Sequence, residues 1–181
     1  LDQLNHQDGL YTLVVRDGSG DTLRVIGAGQ GVLVGPEDPA ALVAAMVDAG
    51  VHIVTLTVTE KGYRLDPATG ALLTGDPEVA ADIADIGSPR TAPGFIVAAL
   101  KARRAAGLKP FTVISCDNLP HNGKRIRAGV IEMARAVDPE LASWIEAEGA
   151  FPQTMIDRIV PATTPDDIDR LEARLGVRDE G

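Results

Sequence analysis

Apolar positions along this chain recur with two periods, and the periods alternate. Residues 11–17 (YTLVVRD) and 21–26 (DTLRVI) are β-rich runs joined by Gly18-Ser19-Gly20, which predicts a hairpin. Residues 51–59 (VHIVTLTVT) and 111–116 (FTVISC) are short, apolar and partly β-branched, the pattern of strands buried on both faces. Elsewhere the spacing is helical. One helix opens at Asp38-Pro39, with Asp38 as N-cap, and runs to Gly50. A second follows Thr91-Ala92-Pro93-Gly94, with Phe95, Val97, Ala98 and Leu100 on its apolar side and Gly107 as its stop. In a third, Ile126, Val130, Ile131, Ala134 and Val137 share a face, and Asn122 is placed to cap it. Asp138-Pro139 restarts a short helix that docks Trp144 and Ile145. Residues 155–160 (MIDRIV) read as another strand, and Thr164-Pro165-Asp166-Asp167 caps a final helix through Leu171 and Leu175. Strands alternating with helices predict an α/β fold. Its form is an incomplete Rossmann-type parallel sheet flanked by helices, with a β-hairpin attached near the N-terminus.

Two stretches fall outside this alternation. Residues 62–90 are polar and broken by Gly62, Pro67, Gly70, Gly75, Pro77, Gly87 and Pro89, a length that predicts a functional excursion or a mobile loop. Gly27-Ala28-Gly29-Gln30-Gly31 is rejected as a dinucleotide fingerprint, because Val32 stands where the third glycine is needed and no helical pattern follows.

Composition narrows the function classes. Of 181 residues, 45% are hydrophobic and 24% charged, enough for one domain with one sizeable core. A net charge of −9 with scattered Lys and Arg argues against nucleic-acid and anionic-membrane partners. Cys116 is the single cysteine, so no intrachain disulfide can form, and a reducing cytoplasm is expected. No apolar run approaches the roughly 20 residues of a membrane span. His52 has no second ligand at metal spacing, so no metal is expected. A chain beginning at Leu1 and ending at Gly181 is expected to be a fragment.

The candidate chemistry lies where strand 111–116 gives way to Asp117-Asn118-Leu119-Pro120-His121-Asn122-Gly123. In an open parallel sheet, ligands bind at the carboxyl ends of the strands. Asp117, Asn118 and Asn122 are therefore candidate site residues, although the same residue types also build turns and caps. Glu60 and Asp157 fall at or near other strand ends. A carboxamide at such an edge can donate to an oxygen that gains negative charge, as alkoxide and carbonyl interconversion requires. On the residues alone, Asp157 reads first as bonded to Arg158 or to backbone, and Glu60 as a solvated charge. Cys116 reads as a small buried hydrophobe, and His121 as a loop residue near the ligand mouth.

The run SCDNL followed by NG, then FPQTMIDRIVPATTP at 151–165, with VTLTVTEKGY at 54–63, closely resembles the mannitol dehydrogenase and fructuronate reductase family of polyol-specific long-chain dehydrogenases/reductases. The resemblance covers nearly the whole chain. It implies hydride transfer between NAD or NADP and a secondary alcohol carbon, without metal. It implies that Asn118 polarises the substrate oxygen, that Asp157 is the carboxylate near a catalytic lysine, and that Glu60 gates the proton path. It also places Val58, Thr59 and Asn118 at the cofactor. In the family, the glycine-rich turn lies upstream of the position of Leu1, and the lysine and a second asparagine with its histidine lie downstream of Gly181. Lys61, Lys101, Lys109 and Lys124 do not sit in that motif. Residues 1–181 are thus expected to be the central and C-terminal part of an NAD(P)-binding domain, inactive alone and partnered by the rest of the parent enzyme. The substrate is a polyol or sugar acid, of mannitol/fructose or mannonate/fructuronate type. The alternative is a non-catalytic α/β binding or scaffolding module.

Overall fold

The computed structural model describes residues 2–156 and 161–179. The contacts divide into two compact units, Leu1–Leu33 with Ile159–Gly181, and Val34–Arg158. The hydrophobic core lies wholly in the second.

In the first unit, α1 (Asp2–His6) precedes a two-stranded antiparallel sheet of β1 (Tyr11–Asp17) and β2 (Gly20–Ile26), in register from Tyr11↔Ile26 to Asp17↔Gly20. The hairpin pattern is borne out. Asp17 tightens its turn by accepting from Ser19 N at 2.7 Å and Ser19 Oγ at 2.6 Å. The last helix, α7 (Pro165–Leu175), carries a capping box. The Thr164 hydroxyl accepts from Asp167 N at 3.2 Å, and the Asp167 carboxylate accepts from Thr164 N at 2.9 Å. That hydroxyl also donates to Asp167, which together with the Arg16 guanidinium at 2.6 Å holds the carboxyl far below its usual range.

The second unit holds α2 (Pro39–Val47), β3 (Ile53–Leu56), a 3-10 turn (Glu60–Tyr63), α3 (Pro77–Ala84), α4 (Ala92–Ala105), β4 (Thr112–Ser115), α5 (Asn122–Val137) and α6 (Pro139–Glu148). Strands β3 and β4 pair in parallel from Ile53↔Thr112 to Leu56↔Ser115, and Thr112 also bridges Ala150 in parallel on the other side. Helices α4, α5 and α6 bury Leu100, Ile126, Val130, Met133, Leu141 and Ile145 around Val113 of β4. Arg103, 3% exposed, donates to Asp48 O at 2.7 Å and Lys109 O at 2.8 Å, with its guanidinium over the Phe111 ring. Its charge thus sits among the terminal carbonyls of α2, where the helix dipole favours a cation.

Several elements differ from the pattern-based expectation. Strand β3 covers four residues rather than nine, because its last rung is the 2.7 Å bond from Cys116 N to Leu56 O, where β4 itself ends. It is not buried on both faces: Ile53 is 56% exposed, and among the described residues β4 is its one strand partner. Strand β4 alternates buried and half-buried positions. Helix α2 stops at Val47, since Asp48 leaves helical geometry and its carboxylate turns the chain onto Gly50 N at 2.7 Å.

Within residues 62–90, expected to be a functional excursion or a mobile loop, the chain forms α3 and a set of local side-chain bonds. Asp66 gathers Ala68 N and Thr69 N, Leu65 bridges Leu72, and Asp76 caps α3. Fully buried Asp82 then accepts from Arg90 N, Thr91 N and Thr91 Oγ1 at 2.8, 3.1 and 2.6 Å. These local carboxylate bonds supply the backbone partners that glycine and proline deny to regular helix. Met155 and Ile156 are exposed and form no strand, while residues 157–160 of the expected MIDRIV strand lie outside the described residues.

Candidate active site

Parallel pairing sends the chain out of β3 and β4 at one edge, so residues 57–60 and 116–118 leave the sheet together. Asp117 organises that edge. Its Oδ1 accepts from Leu119 N at 3.0 Å, closing an Asx turn, and from Asn122 Nδ2 at 3.1 Å. Its Oδ2 accepts from the Tyr63 hydroxyl, and its backbone carbonyl from Ile156 N at 3.0 Å. Tyr63 is 1% exposed; burial first, and then the bond to Asp117, raise its hydroxyl well above the usual tyrosine range. The tyrosine is thereby kept as a donor.

Asn122 does not cap α5. His121 holds that position in left-handed geometry, at φ 60° and with no side-chain cap. Asn122 instead lies fully buried inside the first turn. Its Oδ1 accepts from Gly123 N at 2.7 Å and Thr154 N at 3.2 Å. Its Nδ2 faces Thr154 Oγ1 at 3.0 Å and Ser115 O at 3.3 Å, and Thr154 Oγ1 itself donates to Ser115 O. The helix start and the returning segment 151–154 are so close that a β-carbon on Gly123 would stand 2.4 Å from Pro152 O and 2.7 Å from Phe151 O. Ser115 Oγ is buried without a hydrogen-bond partner among the described residues.

Against this fixed frame, the candidates from the sequence stand as follows. Asn118 is exposed, and its amide bonds to no described residue. Glu60 is exposed at the start of the 3-10 turn, Thr59 is exposed just before it, and Val58 is half-buried, packed so closely on Gly62 that a β-carbon there would lie 2.7 Å from Val58 Cβ. The Tyr63–Asp117 bond ties the turn bearing Glu60 to the loop bearing Asn118. Asp157 lies outside the described residues, one position past Ile156. His121 is exposed on the same loop, and Cys116 is a half-buried free thiol. Among the described residues, no His, Cys, Asp or Glu cluster could hold a metal, and no helix is long and apolar enough to cross a membrane.

Sequence pattern does not single out Tyr63 or Thr154. The only signal for Tyr63 is an aromatic residue three positions past a strand-end glutamate; Thr154 has none, because its partners are 32 and 39 residues away.

Comparison with known proteins fits this architecture. The family described as the mannitol dehydrogenase Rossmann domain matches residues 1–180. A mannitol 2-dehydrogenase of Cereibacter sphaeroides is 50% identical over 159 residues, which are 88% of this chain and 33% of that protein. A polyol:NADP oxidoreductase of Gluconobacter oxydans is 42% identical over 99% of this chain and 37% of its own length. The solved structure of Pseudomonas fluorescens mannitol 2-dehydrogenase, a ternary complex with NAD and D-mannitol, superposes with a TM-score of 0.93 at 40% identity, covering 99% of this chain and 37% of that one. This chain therefore spans 33–37% of each of these relatives, and on the family match it belongs to the mannitol dehydrogenase family, as the Rossmann-type domain of that family.

Proposed function

We propose that this chain is the central and C-terminal part of the cofactor-binding domain of an NAD(P)-dependent oxidoreductase, which interconverts a polyol or aldonate with its ketose or keto-uronate. One observation carries the proposal: an exposed carboxamide with no partner among the described residues, Asn118, is presented at the carboxyl edge of a parallel pair by a loop that Asp117 and Asn122 hold through their own side-chain bonds. Relatives named for mannitol and polyol oxidation support the reaction class. Mannitol/fructose and mannonate/fructuronate pairs both fit it.

The residues present fit a dinucleotide at that edge. Half-buried Val58 offers an apolar face, while the Thr59 hydroxyl and the Asn118 amide offer polar contacts without breaking an existing side-chain bond. When bound, the nicotinamide supplies the hydride donor and acceptor chemistry. Asn118 donates a hydrogen bond to the substrate oxygen and favours its negatively charged form, as a fixed donor does at a developing oxyanion. Glu60, exposed on the adjoining turn, can relay a proton to solvent. Asp157 is assigned to the carboxylate beside the catalytic lysine; a nearby anion favours the charged lysine, and burial the neutral one.

The reading is tested by NAD(P)H absorbance with mannitol, fructose, mannonate and fructuronate, on the full-length protein and on the 181-residue chain. The full-length protein is expected to turn over one of these pairs and the isolated chain none. Turnover by the isolated chain at an ordinary enzyme rate would sink the assignment of the lysine to another segment. A full-length protein that binds NAD(P) but oxidises no polyol would favour the non-catalytic module.

A further inference from the structure

Four chain segments converge on Asp117. The turn bearing Glu60 arrives through the Tyr63 hydroxyl on Oδ2, and α5 through Asn122 Nδ2 on Oδ1. The loop bearing Asn118 folds onto the same Oδ1 through Leu119 N. The segment leading to Asp157 reaches the Asp117 carbonyl through Ile156 N. Thr154 closes the ring onto Ser115 O. Glu60 and Asn118 hang from this ring without taking part in it. Their placement is therefore set by a frame in which Tyr63 and Asn122 are buried and Asp117 and Thr154 half-buried.

We infer that Tyr63 is a positioning residue: through Asp117, its hydroxyl holds the Glu60 turn, the Asn118 amide and the approach to Asp157 in one register. This role presupposes the oxidoreductase reading above and extends it to a side chain inside the fold. Without the hydroxyl, Asp117 Oδ2 has no described donor, and the carboxylate is free to turn away from Leu119 N and Asn122. A shift of about 1 Å at a reacting group can cost about 100-fold in rate. A tyrosine that merely filled space would lose stability on removal of its hydroxyl and leave the folded enzyme's kinetics alone.

The test is Tyr63→Phe in the full-length enzyme, which keeps the ring. The expected result is a fall of about 10- to 100-fold in kcat with little change in cofactor KM. Combined with Asn118→Ala, the two losses should fall well short of multiplying, because one acts through the other. By hydrogen exchange, the Leu119 and Ile156 amides should lose protection in Tyr63→Phe while amides of α4 and β4 keep theirs. Thr154→Val cuts the same ring from its other side and should reproduce these effects if Tyr63→Phe does not fold. Either a folded Tyr63→Phe enzyme with wild-type kcat, or unchanged protection at both amides, overturns the inference. A wild-type enzyme inactive on polyols defeats the functional reading alone, and the exchange measurement then decides the role of Tyr63.

Discussion

Replacing Asn118 with alanine separates chemistry from architecture more cleanly than any other change at this edge. The side chain is exposed and bonds to no described residue, so its removal orphans no buried group. Its stability cost should therefore stay within about 0.5 kcal/mol, the range of ordinary surface changes. A turn-building asparagine would instead cost about 0.5–2 kcal/mol, as for a lost cap. In this loop the turn-building is done by Asp117, and loss of its carboxylate would strand Leu119 N and the Tyr63 hydroxyl, at about 1–3 kcal/mol for each buried group left unpaired. If the Asn118 amide stabilises the substrate oxygen as its charge develops, its loss should remove about 2.7–4 kcal/mol of transition-state stabilisation, or about 100- to 1000-fold in turnover. Cofactor affinity should change far less. Steady-state rates with polyol and NAD(P), and a thermal melt on the same sample, read both quantities. An Asn118→Ala enzyme that turns over at near wild-type rate while folded, or one that melts several degrees early with its kinetics intact, would refute the reasoning.

Two other expectations follow from geometry alone. Gly123→Ala places a β-carbon against the backbone carbonyls of residues 151 and 152, which cannot swing aside as a side chain can, so it should destabilise by about 1–3 kcal/mol; an unchanged melting temperature would contradict the close approach. Asp167 has its carboxyl lowered chiefly by the Thr164 hydroxyl, so the stability it lends α7 is present above its ordinary value of 3.8 and fades as pH falls through the lowered one. Thr164→Ala should move the acid loss of α7 helicity to higher pH in a circular dichroism or NMR titration, and an unshifted midpoint would count against this cap.

Much of the fold is written locally. Asp38, Thr91, Asp138 and Thr164 each precede a proline within two residues and each caps the helix expected there, because cap and helix are neighbours in the chain. The hairpin is equally local. What pattern cannot show is a polar residue whose partners are remote. Asn122 looks like a cap from its neighbours, yet its bonds run to Asp117 and Thr154. Asp82 sits in a glycine- and proline-broken run that reads as loose, although its carboxylate orders that run against the start of α4. The nine-residue apolar run at 51–59 promises a long strand, whereas β3 is cut to the length of its partner β4. The position of Asn118 at a strand end was legible from sequence; the frame that leaves its amide unengaged was not.

The ring around Asp117 has a consequence for how the protein folds. Its closing bonds join residues 54, 39 and 32 positions apart, whereas the caps of α4 and α6 involve near neighbours. Closing long loops costs chain entropy that only a prior core can offset, so these bonds should form after the folding barrier is crossed. Tyr63→Phe should then have a φ-value near zero, speeding unfolding while leaving the folding rate nearly unchanged; a value near one would contradict this order. A newly made chain would hold its core before it holds its site.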